Sequence, residues 1–153
     1  MKLYFLRHGD ADWPDWDKPD SQRPLTTEGK KEMRKIAVFF RKCGFEVDAI
    51  LSSPLPRAAQ TAQFMADELG IGVQEEPSLA PGFDKPLLAK LLAAHPHDKL
   101  LLVGHEPDFS ELIESLTGGS VKMSKGGLAR VDLHPGSLHG QLVWLVPPKL
   151  SAG

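Results

Sequence analysis

The chain of 153 residues has a single cysteine, Cys43, and no long uninterrupted hydrophobic run. One cysteine excludes an intramolecular disulfide framework and a cysteine-based zinc cluster. The apolar helical pattern around Cys43 predicts a core or boundary position for it. No run approaches the ~20 apolar residues that span a membrane, and Arg7 and His8 arrive before a signal-peptide stretch could be complete. We therefore expect a cytoplasmic protein without membrane contact.

A surplus of positive charge is also lacking, since the formal net charge is -2. Without a basic footprint there is no electrostatic reason to propose nucleic acid as a partner. With 41% hydrophobic and 25% charged residues, the composition is ordinary for a globular protein. A chain of this length can bury one substantial core, so we expect residues 1–153 to form a single domain.

Three predicted strands end in polar or basic residues. The apolar run 3–6 leads into Arg7, His8 and Gly9, the strand 47–52 leads into serine residues, and the apolar run 100–103 leads into Gly104 and His105. If these strands are parallel in one sheet, their carboxyl ends meet at the edge where open α/β sheets bind ligands. The alternative is that the strand ends are basic without a function.

Helical patterns alternate with these strands. Thr26 or Thr27 is predicted to cap a helix that stops at Gly44, a second helix runs from Pro56 to Gly70, and a short third covers 87–95. Asp108 is predicted to be the N-cap of a fourth helix. Strands 128–133 and 141–146 flank a turn too short for a parallel crossover, so they should form an antiparallel hairpin.

These elements predict an α/β fold with three α/β/α layers, a mainly parallel sheet and an antiparallel C-terminal edge. Arg57 lies in the first turn of the second helix, beside free backbone N–H groups that favour anions. Together with Arg7, His8 and His105 it matches a phosphoryl dianion, because guanidinium groups bind its oxygens bidentately. We hypothesise that neutral His8 is a nucleophile toward phosphorus. The arginines would repel a divalent metal, so no metal is expected.

Four motifs in this order resemble the histidine phosphatase superfamily, also called phosphoglycerate mutase-like or RHG proteins. They are Leu6-Arg7-His8-Gly9, Arg23-Pro24-Leu25-Thr26, the segment 52–62 (SSPLPRAAQTA) and the segment 103–107 (VGHEP). The match extends over nearly the whole chain. The resemblance implies the phosphoglycerate mutase-like fold and a phosphatase that uses a phosphohistidine intermediate, without cofactor or metal.

Residue by residue, the resemblance makes His8 the phosphorylated residue and Arg7 and Arg57 the phosphate clamps. It makes His105 a cation that stabilises the transferring oxygens. Arg23 matches an arginine at the rim of the shorter phosphatases, and Gly9 is included among the phosphate-binding residues. A solvated loop charge is the alternative for Arg23.

The chain departs from the larger relatives in two ways: its connections are too short for a large cap, and segment 78–84 lacks their proton-donating glutamate. Imidazole, with a pKa near ~6.5, leaves phosphorus with far less help than an alkoxide. The chain therefore most resembles the SixA-type phosphohistidine phosphatases, which act on phosphohistidine carried by another protein. The alternatives are a phosphomonoesterase for a small metabolite and a non-catalytic phosphate-binding module.

Four carboxyl groups remain candidates for a proton donor, although each also fits a cap or a solvated charge. They are Asp84, Glu106, Asp10 and Asp12. Two tryptophans, Trp13 and Trp16, stand in a polar segment that reads as a surface loop. Packing over the site entrance is favoured for them, and contact with a partner is the alternative.

Overall fold

A computed structural model describes all 153 residues and contains one six-stranded sheet. The strands are β1 (Lys2–Arg7), β2 (Ala49–Ser52), β3 (Val73–Glu75), β4 (Lys99–Gly104), β5 (Leu128–Leu133) and β6 (Gly140–Val146). They lie in the order β3-β2-β4-β1-β5-β6. The first four strands in this order are mutually parallel, whereas β5 pairs antiparallel with both of its neighbours, β1 and β6. The predicted parallel sheet with an antiparallel C-terminal hairpin is confirmed.

Five helices cover the two faces of the sheet. They are α1 (Thr27–Lys42), α2 (Pro56–Leu69), α3 (Lys85–Ala94), α4 (Asp108–Thr117) and the short α5 (Pro148–Ser151). Successive residues of a strand point to opposite faces. Accordingly Leu3 and Phe5 pack in the core beneath α3 and α4, whereas Tyr4 and Leu6 pack in the core beneath α1 and α2. These two cores make the predicted three-layer α/β/α sandwich.

The ends of α1 and α4 correct two predictions. Thr26 caps α1 as expected, with its hydroxyl oxygen accepting from the Gly29 N–H. Cys43, however, is the exposed C-cap of this helix and not a core or boundary residue. At α4 the N-cap is Pro107, and Asp108 is the first helical residue. The Asp108 carboxylate instead accepts from the Gly82 N–H at 2.9 Å, a contact that joins the start of α4 to the loop before α3.

The connections at the carboxyl ends of the parallel strands are too short to form a large cap, as predicted. The longest, residues 8–26, contains a single 3-10 turn at Asp20–Gln22, and the connection after β3 contains another at Pro77–Leu79. No helical cap is inserted at this edge. No helix of the chain has the length and apolar character needed to cross a membrane.

Candidate active site

The carboxyl ends of β1, β2 and β4 meet at one edge of the sheet. Backbone hydrogen bonds continue one residue past the strands: the His8 N–H donates to the Gly104 carbonyl at 3.1 Å, and the Ser53 N–H donates to the Val103 carbonyl at 3.0 Å. The ring centroids of His8 and His105 are therefore only 5.3 Å apart. The sheet register thus joins residues that are almost one hundred positions apart.

His8 is held in one tautomer. Its Nδ1 lies 2.7 Å from the Gly9 carbonyl oxygen. Because a carbonyl only accepts, Nδ1 carries the hydrogen and Nε2 keeps its lone pair. Burial, with the nearby Arg57 and Arg7 charges, lowers the pKa of His8 from 6.5 to about 4 despite the opposing effect of the Gly9 bond. His8 is consequently neutral at pH 7, the state that a nucleophilic imidazole requires.

His105 is held through its Nε2 atom, whereas His8 is held through Nδ1. Its Nε2 lies 2.8 Å from Ser53 Oγ, and that oxygen also accepts from the Leu55 N–H at 3.2 Å. The buried Ser53 hydroxyl hydrogen needs an acceptor, so it is donated to Nε2, and Nδ1 of His105 then carries the ring hydrogen.

The protonation state of His105 corrects the expectation of a cation. Burial, followed by the neighbouring His8 and Arg57, lowers the pKa of His105 from 6.5 to about 3. At pH 7 the ring is therefore neutral and offers a hydrogen bond from Nδ1 instead of a positive charge. A bound dianion nearby would raise this pKa, because an opposite charge favours the protonated form.

Three buried nitrogen atoms of the site have no hydrogen-bond partner within the protein: Arg7 Nε, Arg57 Nε and His105 Nδ1. The remaining donors of the arginines are partly used, since Arg7 Nη1 donates to the Met123 carbonyl and Arg57 Nη1 donates to the Asp20 carbonyl, both at 2.9 Å. Buried donors are seldom left without an acceptor. These three fit an anion with several oxygens, such as a phosphoryl group.

Gly9 has a different position from the one expected of a phosphate ligand. Its N–H, the one group with which glycine can donate to an anion, already donates to Thr61 Oγ1 at 3.0 Å. The Thr61 hydroxyl in turn donates to the Arg57 carbonyl at 2.8 Å. A Cβ at Gly9 would lie 2.8 Å from Met33 Cγ. Gly9 therefore ties the His8 turn to α2 and packs closely on α1, which corrects its assignment as a phosphate-binding residue.

Arg23 reaches the site through Asp20, a residue that the sequence did not single out. The Asp20 carboxylate accepts from Arg23 Nε at 3.1 Å and from Arg57 Nη2 at 3.2 Å. Arg23 Nη1 also donates to the Ala11 carbonyl at 2.6 Å. The sequence signal for Asp20 is its position three residues before Arg23. Its contact with Arg57 lies 37 residues away in the sequence and has no such local signal.

Three of the four candidate proton donors cap a helix or form an ion pair with Lys125. Asp84 is the N-cap of α3, where Oδ1 accepts from the Leu87 N–H at 3.1 Å. Asp10 accepts from the Thr26 hydroxyl at 2.7 Å. Asp12 accepts a hydrogen bond from Lys125, which lowers the pKa of Asp12 and keeps it ionised. These contacts argue against all three as acids.

Glu106 follows His105 directly and is partly buried. Burial raises the pKa of Glu106 above its ordinary value, although hydrogen bonds from Ser110 and the charge of Arg7 oppose the shift. The Ser110 hydroxyl donates to Glu106 Oε1 at 2.7 Å. Glu106 is thus the carboxyl group in the chain that combines proximity to the site with a raised pKa.

Trp13 and Trp16 pack on each other, with ring centroids 6.4 Å apart. Their indole N–H groups donate to the Pro24 and Pro19 carbonyls, respectively. Trp13 remains 39% exposed. The pair therefore stabilises the 10–24 loop by contacts within that loop, and neither ring belongs to the two cores.

A family model described as histidine phosphatase superfamily (branch 1) matches residues 3–80, about half of the chain. The chain belongs to the histidine phosphatase superfamily. Phosphohistidine phosphatase SixA of Escherichia coli is 31% identical over 155 residues, which cover 97% of this chain and 94% of SixA. An uncharacterized protein of a Picosynechococcus strain is 38% identical over 168 residues and is matched over 98% of its length.

Among solved structures, the protein histidine phosphatase SixA in complex with tungstate superposes with a TM-score of 0.86 at 30% identity. The alignment covers 97% of this chain and 98% of that structure. The two proteins are similar from end to end, so this member of the superfamily is of the SixA type. The expected phosphoglycerate mutase-like fold with a minimal cap is confirmed.

Proposed function

We propose that this enzyme is a protein phosphohistidine phosphatase and that His8 is its nucleophile. The observation that carries the proposal is the convergence of neutral His8 with three unpartnered buried donors, on Arg7, Arg57 and His105, at one sheet edge. Full-length similarity to SixA supports the choice of substrate class.

In the first step, Nε2 of His8 attacks phosphorus in line with the bond to the leaving group. A bond forms between phosphorus and Nε2, and the bond to the leaving nitrogen breaks with its electron pair. Arg7 and Arg57 bind the equatorial oxygens, and the Nδ1–H of His105 donates to them. Fixed donors aimed at developing charge typically contribute a factor of about 10²–10³ each.

In the second step, the oxygen of a water molecule forms a bond to phosphorus, and the bond between phosphorus and Nε2 breaks with its electron pair returning to the His8 ring. The product leaves as dihydrogen phosphate, which carries both protons of the water. The same donors stabilise this transition state, because the charge again develops on the equatorial oxygens. The Gly9 carbonyl keeps the His8 tautomer fixed throughout, so the lone pair of Nε2 is restored when phosphate leaves. No proton has to be moved within the His8 ring during the cycle.

The substrate class follows from the leaving group. An alkoxide needs a proton donor, whereas imidazole leaves with much less help. Asp84, Asp10 and Asp12 are engaged in capping, hydroxyl or ion-pair contacts, which supports a substrate that does not depend on a strong acid. Short connections around the site also suit a phosphoryl group carried on another protein.

A second candidate function is favoured by Glu106. Its burial-raised pKa and its place beside His105 fit a proton donor for an alcohol leaving group. With Glu106 in that role, the enzyme would be a phosphomonoesterase for a small phosphorylated metabolite.

A side-by-side assay separates the two candidates. We expect kcat/KM for a phosphohistidine protein to exceed that for a panel of sugar and alkyl phosphates by at least about 100-fold, since imidazole leaves without general-acid help worth ~10²–10⁴. The variant Glu106→Gln should keep the activity on phosphohistidine. Rapid turnover of alkyl phosphates, lost in Glu106→Gln and absent with phosphohistidine, would instead establish the phosphomonoesterase.

We further propose that residues 1–153 act as one phosphatase domain. Its partner would be a phosphorylated domain of another protein, which places the enzyme in signal transduction. A cytoplasmic location is expected with this role.

A further inference from the structure

The carboxylate of Asp20 lies between two arginines at the mouth of the site. Oδ2 accepts from Arg57 Nη2 at 3.2 Å, and Oδ1 accepts from Arg23 Nε at 3.1 Å. The Asp20 backbone carbonyl also accepts from Arg57 Nη1 at 2.9 Å. The Arg57 side chain is only 5% exposed, whereas the Asp20 side chain is 71% exposed. Asp20 therefore covers Arg57 from the solvent side.

This carboxylate is ionised and cannot serve as a proton donor at neutral pH. Burial alone would raise the pKa of Asp20, but the hydrogen bond from Arg23 and the charge of Arg57 outweigh it and lower the pKa. A negative charge at the entrance of a phosphate site opposes the binding of any dianion. The placement of Asp20 thus needs an explanation other than phosphate affinity.

The leaving group supplies that explanation. In an in-line displacement it lies opposite the nucleophile. His8 is only 8% exposed at the base of the site, so the leaving group is on the solvent side, where Asp20 lies. The imidazole of phosphohistidine carries phosphorus on one nitrogen and can bind a proton on the other. Its protonated ring is a cation with an N–H donor, which an alkyl phosphate lacks.

We propose that Asp20 is a specificity-determining residue that accepts a hydrogen bond from the distal N–H of the protonated phosphohistidine ring. This inference rests on the proposed function. With the distal nitrogen protonated, attack by His8 breaks the bond between phosphorus and nitrogen, and the electron pair neutralises the ring. Imidazole leaves as a neutral molecule that keeps its distal hydrogen. No separate acid is consumed, which accounts for catalysis without the missing glutamate.

Arg23 and Arg57 have a matching role, because they hold the Asp20 carboxylate in place while it remains exposed. A carboxylate fixed in this way loses little side-chain entropy on binding the ring. A hydrogen bond to a charged group contributes enough for about a tenfold change in rate when it is formed with one substrate and not with another.

The test compares Asp20→Asn with the wild-type enzyme on two substrates. One is a phosphohistidine protein, and the other is para-nitrophenyl phosphate, whose phenolate leaves without a proton. We expect Asp20→Asn to lower kcat/KM for phosphohistidine relative to para-nitrophenyl phosphate by about tenfold or more. Asp17→Asn is the matched control, since it removes an exposed carboxylate of the same loop that forms no ion pair, and it should leave the ratio unchanged.

Three results would overturn the inference. An equal loss of kcat/KM on both substrates would mean that Asp20 only positions Arg57. An equal gain would mean that the Asp20 carboxylate only competes with the phosphoryl group for the arginines. A wild-type enzyme inactive on phosphohistidine would reject the proposed function itself. An active wild type with an unselective Asp20→Asn variant would reject only the role of Asp20.

Discussion

The base of the site and the loops around it are built on different principles. His8, Ser53 and His105 follow directly on strands, are buried, and are fixed by hydrogen bonds to backbone or to each other. The loop carboxylates Asp20 and Asp84 are exposed. They pair with arginines or cap a helix. The buried base therefore supplies groups whose protonation and direction are fixed, whereas the loops supply exposed carboxylates that hold arginines or stabilise a helix end.

This division assigns chemistry to the base and selectivity or stability to the loops. Low exposure removes water from His8 and His105 and keeps both rings neutral beside the arginine charges. The loop charges remain near water, where pairing changes the free energy of unfolding only modestly. Loss of the nucleophile at the base should therefore reduce turnover far more than any substitution in the loops.

The largest effect is expected for His8→Ala. Removal of the nucleophile should lower kcat by about 10⁴-fold or more, because the covalent step has no substitute. Steady-state phosphate release measures it. His139→Ala, at an exposed histidine of the β5–β6 turn, should retain full activity. Comparable turnover in His8→Ala and wild type would contradict the assignment of the nucleophile to the end of β1.

The next effect concerns protonation at the base. With pKa values of about 4 for His8 and about 3 for His105, both rings should stay neutral from pH 8 to pH 5. Nitrogen-15 NMR of labelled protein should therefore find their ring signals constant over this range. Titration of either ring near pH 6.5 would contradict the buried, neutral base.

The same shifts link pH to stability. In the unfolded chain a histidine binds its proton near pH 6.5, but folded His8 does so only near pH 4. Between these values the unfolded state binds more protons, so the free energy of unfolding falls as the pH is lowered. Urea denaturation at pH 7 and pH 4.5 measures this loss.

A smaller effect is expected for Ser53→Ala. Without the hydroxyl, the tautomer of His105 is no longer fixed, and kcat should fall about tenfold, which corresponds to about 1.4 kcal/mol, the size of one hydrogen bond. KM should change little if Ser53 acts through His105. The nitrogen-15 shifts of His105 should report a change of tautomer, which a purely structural role would not produce. Ser53→Cys, which keeps a weak donor, should restore part of the rate.

The smallest effect is expected for Asp84→Ala in the loop before α3. Loss of the N-cap should reduce the free energy of unfolding by about 1 kcal/mol. Activity should remain, because the Asp84 carboxylate accepts from the Leu87 N–H. Chemical denaturation and the phosphohistidine assay test both parts. Intact stability with lost turnover would return Asp84 to the role of an acid.

The base of the site was largely predictable from the sequence. Parallel strands bring their carboxyl ends to one edge, so the runs before Arg7 and His105 sufficed to place these residues together. The cap at Thr26 and the stop at Gly44 likewise set the ends of α1, because capping depends on local residue types.

The loop contacts and the charge states were not predictable in the same way. The neutral state of His105 depends on its burial beside His8 and Arg57, which is a property of the assembled fold. The bond of Gly9 to Thr61 and that of Asp20 to Arg57 each join distant segments. The capping of α3 by Asp84 is the exception among the loop contacts, because it had a local signal: Pro86 and Leu87 follow Asp84 at the spacing of a helix start.

In the proposed mechanism, neutral His8 accepts the phosphoryl group on Nε2. The most direct measurement is to quench the enzyme with a phosphohistidine protein at alkaline pH and to locate the bound phosphate by peptide mass spectrometry and phosphorus-31 NMR. We expect a phosphoramidate on His8 of the wild-type enzyme that is absent in His8→Ala. Phosphate on another residue, or turnover without any phosphoenzyme, would contradict it.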